Sequence, residues 1–119
     1  MESKFGEFIK ESREALRTTH GDEYSLRNVA ARIGVTPGYL SQVENDKGAV
    51  PAEQRVLQLA EVLKLDCNIA LAVAGRVSTE LQDIILKRPA LFAEILTALR
   101  DMPDTAILHV VREVRNGDW

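Results

Sequence analysis

Cysteine is nearly absent: Cys67 stands alone among 119 residues. An intramolecular disulfide is therefore excluded, and a reducing cytoplasm fits. Cys67 lies in an apolar helical stretch and is expected as a small core residue rather than a reactive thiol. Long apolar runs are missing too. No segment reads as long and apolar enough to span a bilayer, and no charged-then-apolar signal segment opens the chain. A soluble, cytoplasmic protein with no membrane partner is the expectation. The two histidines, His20 and His109, are far apart, and neither has metal-ligand spacing with a cysteine, histidine or carboxylate. His109 sits among apolar residues and is expected to be packed or at an interface. A glycine-rich phosphate loop is lacking, and the carboxylates are scattered at helical spacing, as on solvated faces. No enzyme activity, catalytic residue, metal or cofactor is expected. Strand-like alternation and fixed-period repeats are lacking as well.

A basic excess is also missing. The net charge is −3, and residues 1–50 hold seven Lys/Arg against eight Asp/Glu. Nucleic-acid binders usually carry a basic face, so this balance weighs against that function unless charge is sorted in space. Arg27, Arg32 and Lys47 would then lie near one surface, with Glu7, Glu11 and Glu14 on the far side. Modest affinity and dependence on dimerisation would follow.

What is present is concentrated in residues 26–45, LRNVAARIGVTPGYLSQVEN. Val29, Ala30 and Ile33 mark one face of a short helix, about Ser25–Ile33. Gly34 follows, where a left-handed residue ends the helix at least cost. Thr36 is placed to cap the next helix, and Pro37 sits at its first position, where a missing N–H costs nothing. Leu40 and Val43 face inward along this helix, about Pro37–Asn45. Tyr24 can staple to Val29 and Val35 to Leu40. This is a helix-turn-helix pattern, with the second helix free to enter a DNA groove.

Around this pair, Phe5, Phe8, Ile9 and Leu16 predict a first helix over about Lys4–Thr18. Thr19–Glu23 is polar and reads as a mobile loop. Asp46–Ala49 is a turn, and Pro51 opens a fourth helix with Val56, Leu57, Leu59, Ala60 and Leu63. Asp66 caps a fifth, Cys67–Ala74, which is apolar nearly all round and so expected to be central, closed by Gly75. Beyond it, Ser78, Pro89 and Pro103 or Asp104 open three more amphipathic helices. Three short helices in about forty residues cannot bury their apolar faces alone. They need the preceding bundle, another protein or a second copy, and a second copy is preferred here.

The run FGEFIKESREAL followed by SLRNVAARIGVTPGYLSQVEN resembles the Cro/C1-type (Xre family) helix-turn-helix repressors, over residues 4 to about 75. The resemblance implies an all-α fold with a five-helix lambda-repressor-like DNA-binding bundle over residues 1–75, to which the periodicity beyond adds a C-terminal helical extension of about three helices over 76–119. It implies a transcriptional repressor that binds double-stranded DNA, a short palindromic operator, as a homodimer. Its base-reading surface would be Thr36, Pro37, Gly38, Tyr39, Ser41 and Gln42. Gln42 leads, because its amide can pair with adenine N6 and N7. Pro37 and Gly38 offer shape and backbone only, which points to a share of shape readout. Phosphates would be met by Arg27, Asn45 and Lys47. Relatives commonly pair an arginine of the first helix with a glutamate ending the third. Arg13 and Glu44 match and would set the angle of the reading helix. The dimer interface would draw on Leu91, Phe92, Ile95, Leu99, Ile107, Val110 and Val111. A competing reading is an antitoxin or interaction module whose C-terminal helices bind a partner protein, a toxin or a protease. A neutral or positive stripe across Arg27, Gln42 and Lys47 would favour DNA over it.

Overall fold

The computed structural model describes residues 4–117 and 119, and every regular element among them is helical. The order is α1 (Phe5–His20), a 3-10 turn (Gly21–Tyr24), α2 (Leu26–Arg32), α3 (Pro37–Glu44), α4 (Glu53–Val62), α5 (Cys67–Val73), α6 (Thr79–Lys87), α7 (Pro89–Leu99) and α8 (Asp104–Asn116). The fold is all-α, as the apolar periodicity predicts. The chain divides into two compact units after Ser78, beyond the break anticipated at Gly75. The residues after α5 stay with the first unit: Ser78 is buried, and the Arg76 guanidinium donates to the Val50 carbonyl at 3.3 Å.

One core holds the first unit together. Phe5 and Ile9 from α1, Val29 from α2, Leu40 from α3, Val56 and Leu59 from α4 and Leu71 from α5 are all but solvent-free. Phe8, Leu16, Val35 and Leu57 pack around them, half-buried. Each contributes the apolar stripe that its 3.6-residue period predicts.

Four successive helices end in the same way. Gly34, Asp46, Lys64 and Gly75 adopt left-handed backbone, with φ of 74°, 54°, 58° and 77°. The residue after each donates back across the last turn: Val35 to Ala30, Lys47 to Gln42, Leu65 to Ala60 and Arg76 to Leu71, at 2.8–2.9 Å. These bonds satisfy carbonyls that the helix leaves open. Two of the four left-handed positions are not glycine, and that conformation costs an L-residue about 1–2 kcal/mol. Lys64 is exposed, so Lys64→Gly is expected to raise stability by about 0.5–1 kcal/mol, the relief exceeding the added chain entropy. A lower urea midpoint than wild type would contradict this. The same change at Asp46 is expected to destabilise, because the Asp46 carboxylate accepts from the Gly6 N–H at 2.7 Å.

Several expectations need correction. Residues 19–23 are not a mobile loop. α1 continues to His20 and the chain then turns through the 3-10 segment. Tyr24 is the reason: its ring is buried, with the Arg32 guanidinium stacked on it at 4.9 Å. The carbonyls of Asp22, Glu23 and Tyr24 accept from the side chains of Asn28, Arg32 and Arg13 at 2.6, 3.1 and 3.1 Å. α4 starts at Glu53 rather than Pro51, since Ala52, with ψ of 161°, is still extended. Cys67 is exposed, not a core residue. It begins α5, whose buried face starts a turn later at Ala70 and Leu71. α5 is not central on all sides either, because Ile69 is 57% exposed. His109 is not packed: its ring is open to solvent, 3.9 Å from Glu113 one turn on.

The second unit has no buried residue in α6, α7 or α8. Leu91, Ile95 and Val111 are exposed, and Phe92, Leu99, Ile107 and Val110 are half-buried.

Candidate nucleic-acid interface

The turn between α2 and α3 is built from local chemistry. Gly34 ends α2, its N–H donating to the Ala31 carbonyl at 3.1 Å. Thr36 then caps α3: its hydroxyl oxygen accepts from the Tyr39 N–H at 3.0 Å, and Pro37 occupies the first turn. Leu40 and Val43 anchor α3 in the core. With that face fixed inward, Pro37, Gly38, Tyr39 and Gln42 are exposed and Ser41 is half-buried. These side chains form one continuous outer surface on α3.

Two long-range ties hold α3 against α1. Arg13, 5% exposed, donates through Nε to Glu44 Oε2 at 2.7 Å and through Nη2 to Glu44 Oε1 at 3.0 Å. Its remaining nitrogen, Nη1, reaches the Tyr24 carbonyl. The fork therefore joins α1, α3 and the 3-10 turn at one point, with each charge satisfied. The Glu44 hydrogen bonds hold the Arg13 guanidinium above its ordinary range, against the lowering effect of burial. The second tie is Gly6. A Cβ at this position would collide with the Val43 carbonyl oxygen and approach Asp46 Cγ at 2.8 Å. Its N–H, free at the start of α1, is bonded to Asp46 instead. Neither Gly6 nor Asp46 was singled out from the sequence. The available signal was a glycine inside an apolar-periodic helix, which usually marks a close approach. Arg55 was missed as well: its guanidinium donates to the Ile33 carbonyl at 2.7 Å, tying α4 to the end of α2.

These ties shape the electrostatics of the α3 surface. Glu44 is the only carboxylate of α3, and it is buried and paired. Asp46, just beyond the helix, is occupied by Gly6. The exposed side chains of α3 are uncharged. Gln42, Arg27 and Lys47 are exposed, and among the described residues no side-chain hydrogen bond engages them. Asn45 is partly engaged, its amide donating to the Ser41 carbonyl at 2.8 Å. Arg32, grouped by sequence with the neighbouring cations, is held by Tyr24 and Glu23.

A family model described as a helix-turn-helix domain matches residues 4–68, more than half of the chain. The chain belongs to the helix-turn-helix family. The match spans α1 to α4, both long-range ties and the exposed face of α3. No curated protein and no solved structure matches the chain. Helix-turn-helix domains use the second helix of the pair for DNA, which makes this a DNA-binding type of domain. Among the described residues no cluster of His, Cys, Asp and Glu could hold a metal ion, and no helix is long and apolar enough to cross a membrane.

Proposed function

We propose that this helix-turn-helix protein is a sequence-specific DNA-binding transcriptional regulator of the Cro/C1 (Xre) type. It acts as a repressor and binds a short palindromic operator as a homodimer. α3 enters the major groove, with Gln42 pairing a base edge and Thr36, Tyr39 and Ser41 beside it. Pro37 and Gly38 let the backbone approach closely. Arg27 and Lys47 meet phosphates, and the free face of the Asn45 amide adds to them.

One observation supports this reading above the others: the outer face of α3 carries no exposed negative charge. In a chain with net charge −3, an interface that had lost DNA would have no reason to keep that face free of carboxylates. Here the only carboxylate of the helix is turned inward onto Arg13. The modest cationic flank of Arg27 and Lys47 gives few phosphate contacts per protomer, so two protomers are needed for useful affinity.

The test is fluorescence-anisotropy titration against DNA from upstream of the protein's own gene, over a series of salt concentrations. Saturable binding to one two-fold-symmetric segment is expected. Gln42→Ala should lose about 1–3 kcal/mol on that segment and almost nothing on unrelated duplex. Lys47→Ala should weaken both equally and lower the log–log salt slope by about one for each phosphate it no longer neutralises. Equal losses on both duplexes for Gln42→Ala would remove it as a base reader. No binding at low salt would sink the regulator reading as a whole.

A further inference from the structure

The unit from Thr79 onward exposes more apolar surface than a chain of its size can carry alone. Nine of its large apolar side chains, from Ile84 to Val114, are 41–69% exposed. Together they leave on the order of 700 Å² of apolar side chain in water, more than the few hundred Å² of a usual monomer patch. These side chains are spread from α6 to α8, and two of them, Leu91 and Ile95, lie together on α7.

A groove on α7 indicates which partner fits. Its floor is Leu91, Phe92, Ile95 and Ala98, and it is lined as well by Arg88 and Glu94. Arg88 sits at the N-terminal end of the helix, and Glu94 lies about 9 Å further along the axis. Both are exposed, and neither is in an ion pair among the described residues. A patch with one cation, one carboxylate and an apolar floor between them is complementary to itself. A two-fold axis through the floor sets each Arg88 against Glu94 of the second copy, giving two equivalent ion pairs around shared apolar contacts. A uniformly acidic or basic partner would leave one of the two charges facing its like.

We propose that this α7 groove seats the same groove of a second copy of the chain, with Arg88 and Glu94 exchanged across the two-fold axis. The proposal rests on the homodimer reading above and assigns its seam. Arg88→Glu sets two carboxylates opposite each other, and Glu94→Arg sets two cations opposite each other. Mixing the two variants restores both attractive pairs in the heterodimer, and the double charge swap restores them in a homodimer.

Sedimentation equilibrium of the full chain over a concentration series, without DNA, tests this. The wild type is expected to dimerise, and each single variant to raise the dissociation constant roughly tenfold or more. The equimolar mixture and the double swap should both return close to wild type. Both positions are exposed, so unchanged helical circular dichroism is expected throughout. Dimerisation that ignores both single variants, or a mixture that fails to recover, would overturn the groove as the seam and leave the homodimer standing. A wild type that stays monomeric at every concentration would overturn the homodimer and the groove together.

Discussion

Arg13→Met is expected to lower the unfolding free energy by about 3–5 kcal/mol, because it leaves the Glu44 carboxylate buried with no counter-charge. Glu44→Gln should cost a similar amount by stranding the Arg13 guanidinium, which also loses its fork geometry. The double change Arg13→Met with Glu44→Leu is expected to recover most of the loss. Two buried charges are then replaced by two apolar side chains, and the desolvation penalty disappears with the ion pair. Urea unfolding monitored by circular dichroism reads all three. Single variants within about 1 kcal/mol of wild type would show the pair to be screened like a surface bridge. The pair also bears on binding. It keeps a carboxylate off the outer face of α3 and fixes that helix to α1, so the variants that stay folded should bind DNA more weakly.

The second large effect is expected at Gly6, where two principles give opposite signs. Helix propensity alone favours alanine over glycine, by less than the helix-interior value of about 0.5–1 kcal/mol because Gly6 lies in the first turn of α1. Packing opposes it, since the new methyl group would meet the Val43 carbonyl oxygen and the Asp46 carboxylate. The nearer of these is backbone, which cannot rotate aside, so α1 and α3 must separate. We expect Gly6→Ala to cost about 3 kcal/mol, at the upper end for an overpacked site. Asp46→Asn is the companion measurement. It keeps an acceptor for the Gly6 N–H and tolerates left-handed backbone, so its loss should be smaller. A Gly6→Ala chain more stable than wild type would mean that the helices do not approach as closely as the structure places them.

Both sites lie on the same seam, and the seam explains how so short a helix is held firmly enough for the reading role proposed above. α3 has only eight residues, too few to be stable in isolation. Leu40 and Val43 bury one side of it, Arg13 holds its last turn, and Asp46 connects the following turn to α1. The outer face contributes nothing to these contacts. Gln42 is therefore open to change with little effect on stability, as its proposed role in pairing a base edge requires.

Much of this was legible along the chain. The positions of the helices, the Thr36 and Asp66 caps, the glycine that ends α2 and the inward face of α3 follow from spacing, because caps, turns and apolar stripes act between residues a few positions apart. The pairing of Arg13 with Glu44 came from family resemblance, since nothing in the spacing of two residues 31 positions apart brings them together. What only the tertiary structure decided has one cause: which surfaces meet. Gly6 is constrained by a carbonyl far along the chain, and Tyr24 turns a polar segment into an ordered 3-10 turn because its ring is buried, against His20 of α1 and Arg32 of α2. Cys67 and Ile69 are exposed on a helix whose composition reads as buried, because only one of its faces has a neighbour. Composition states how much apolar surface must be covered, and the three-dimensional packing states which of it is.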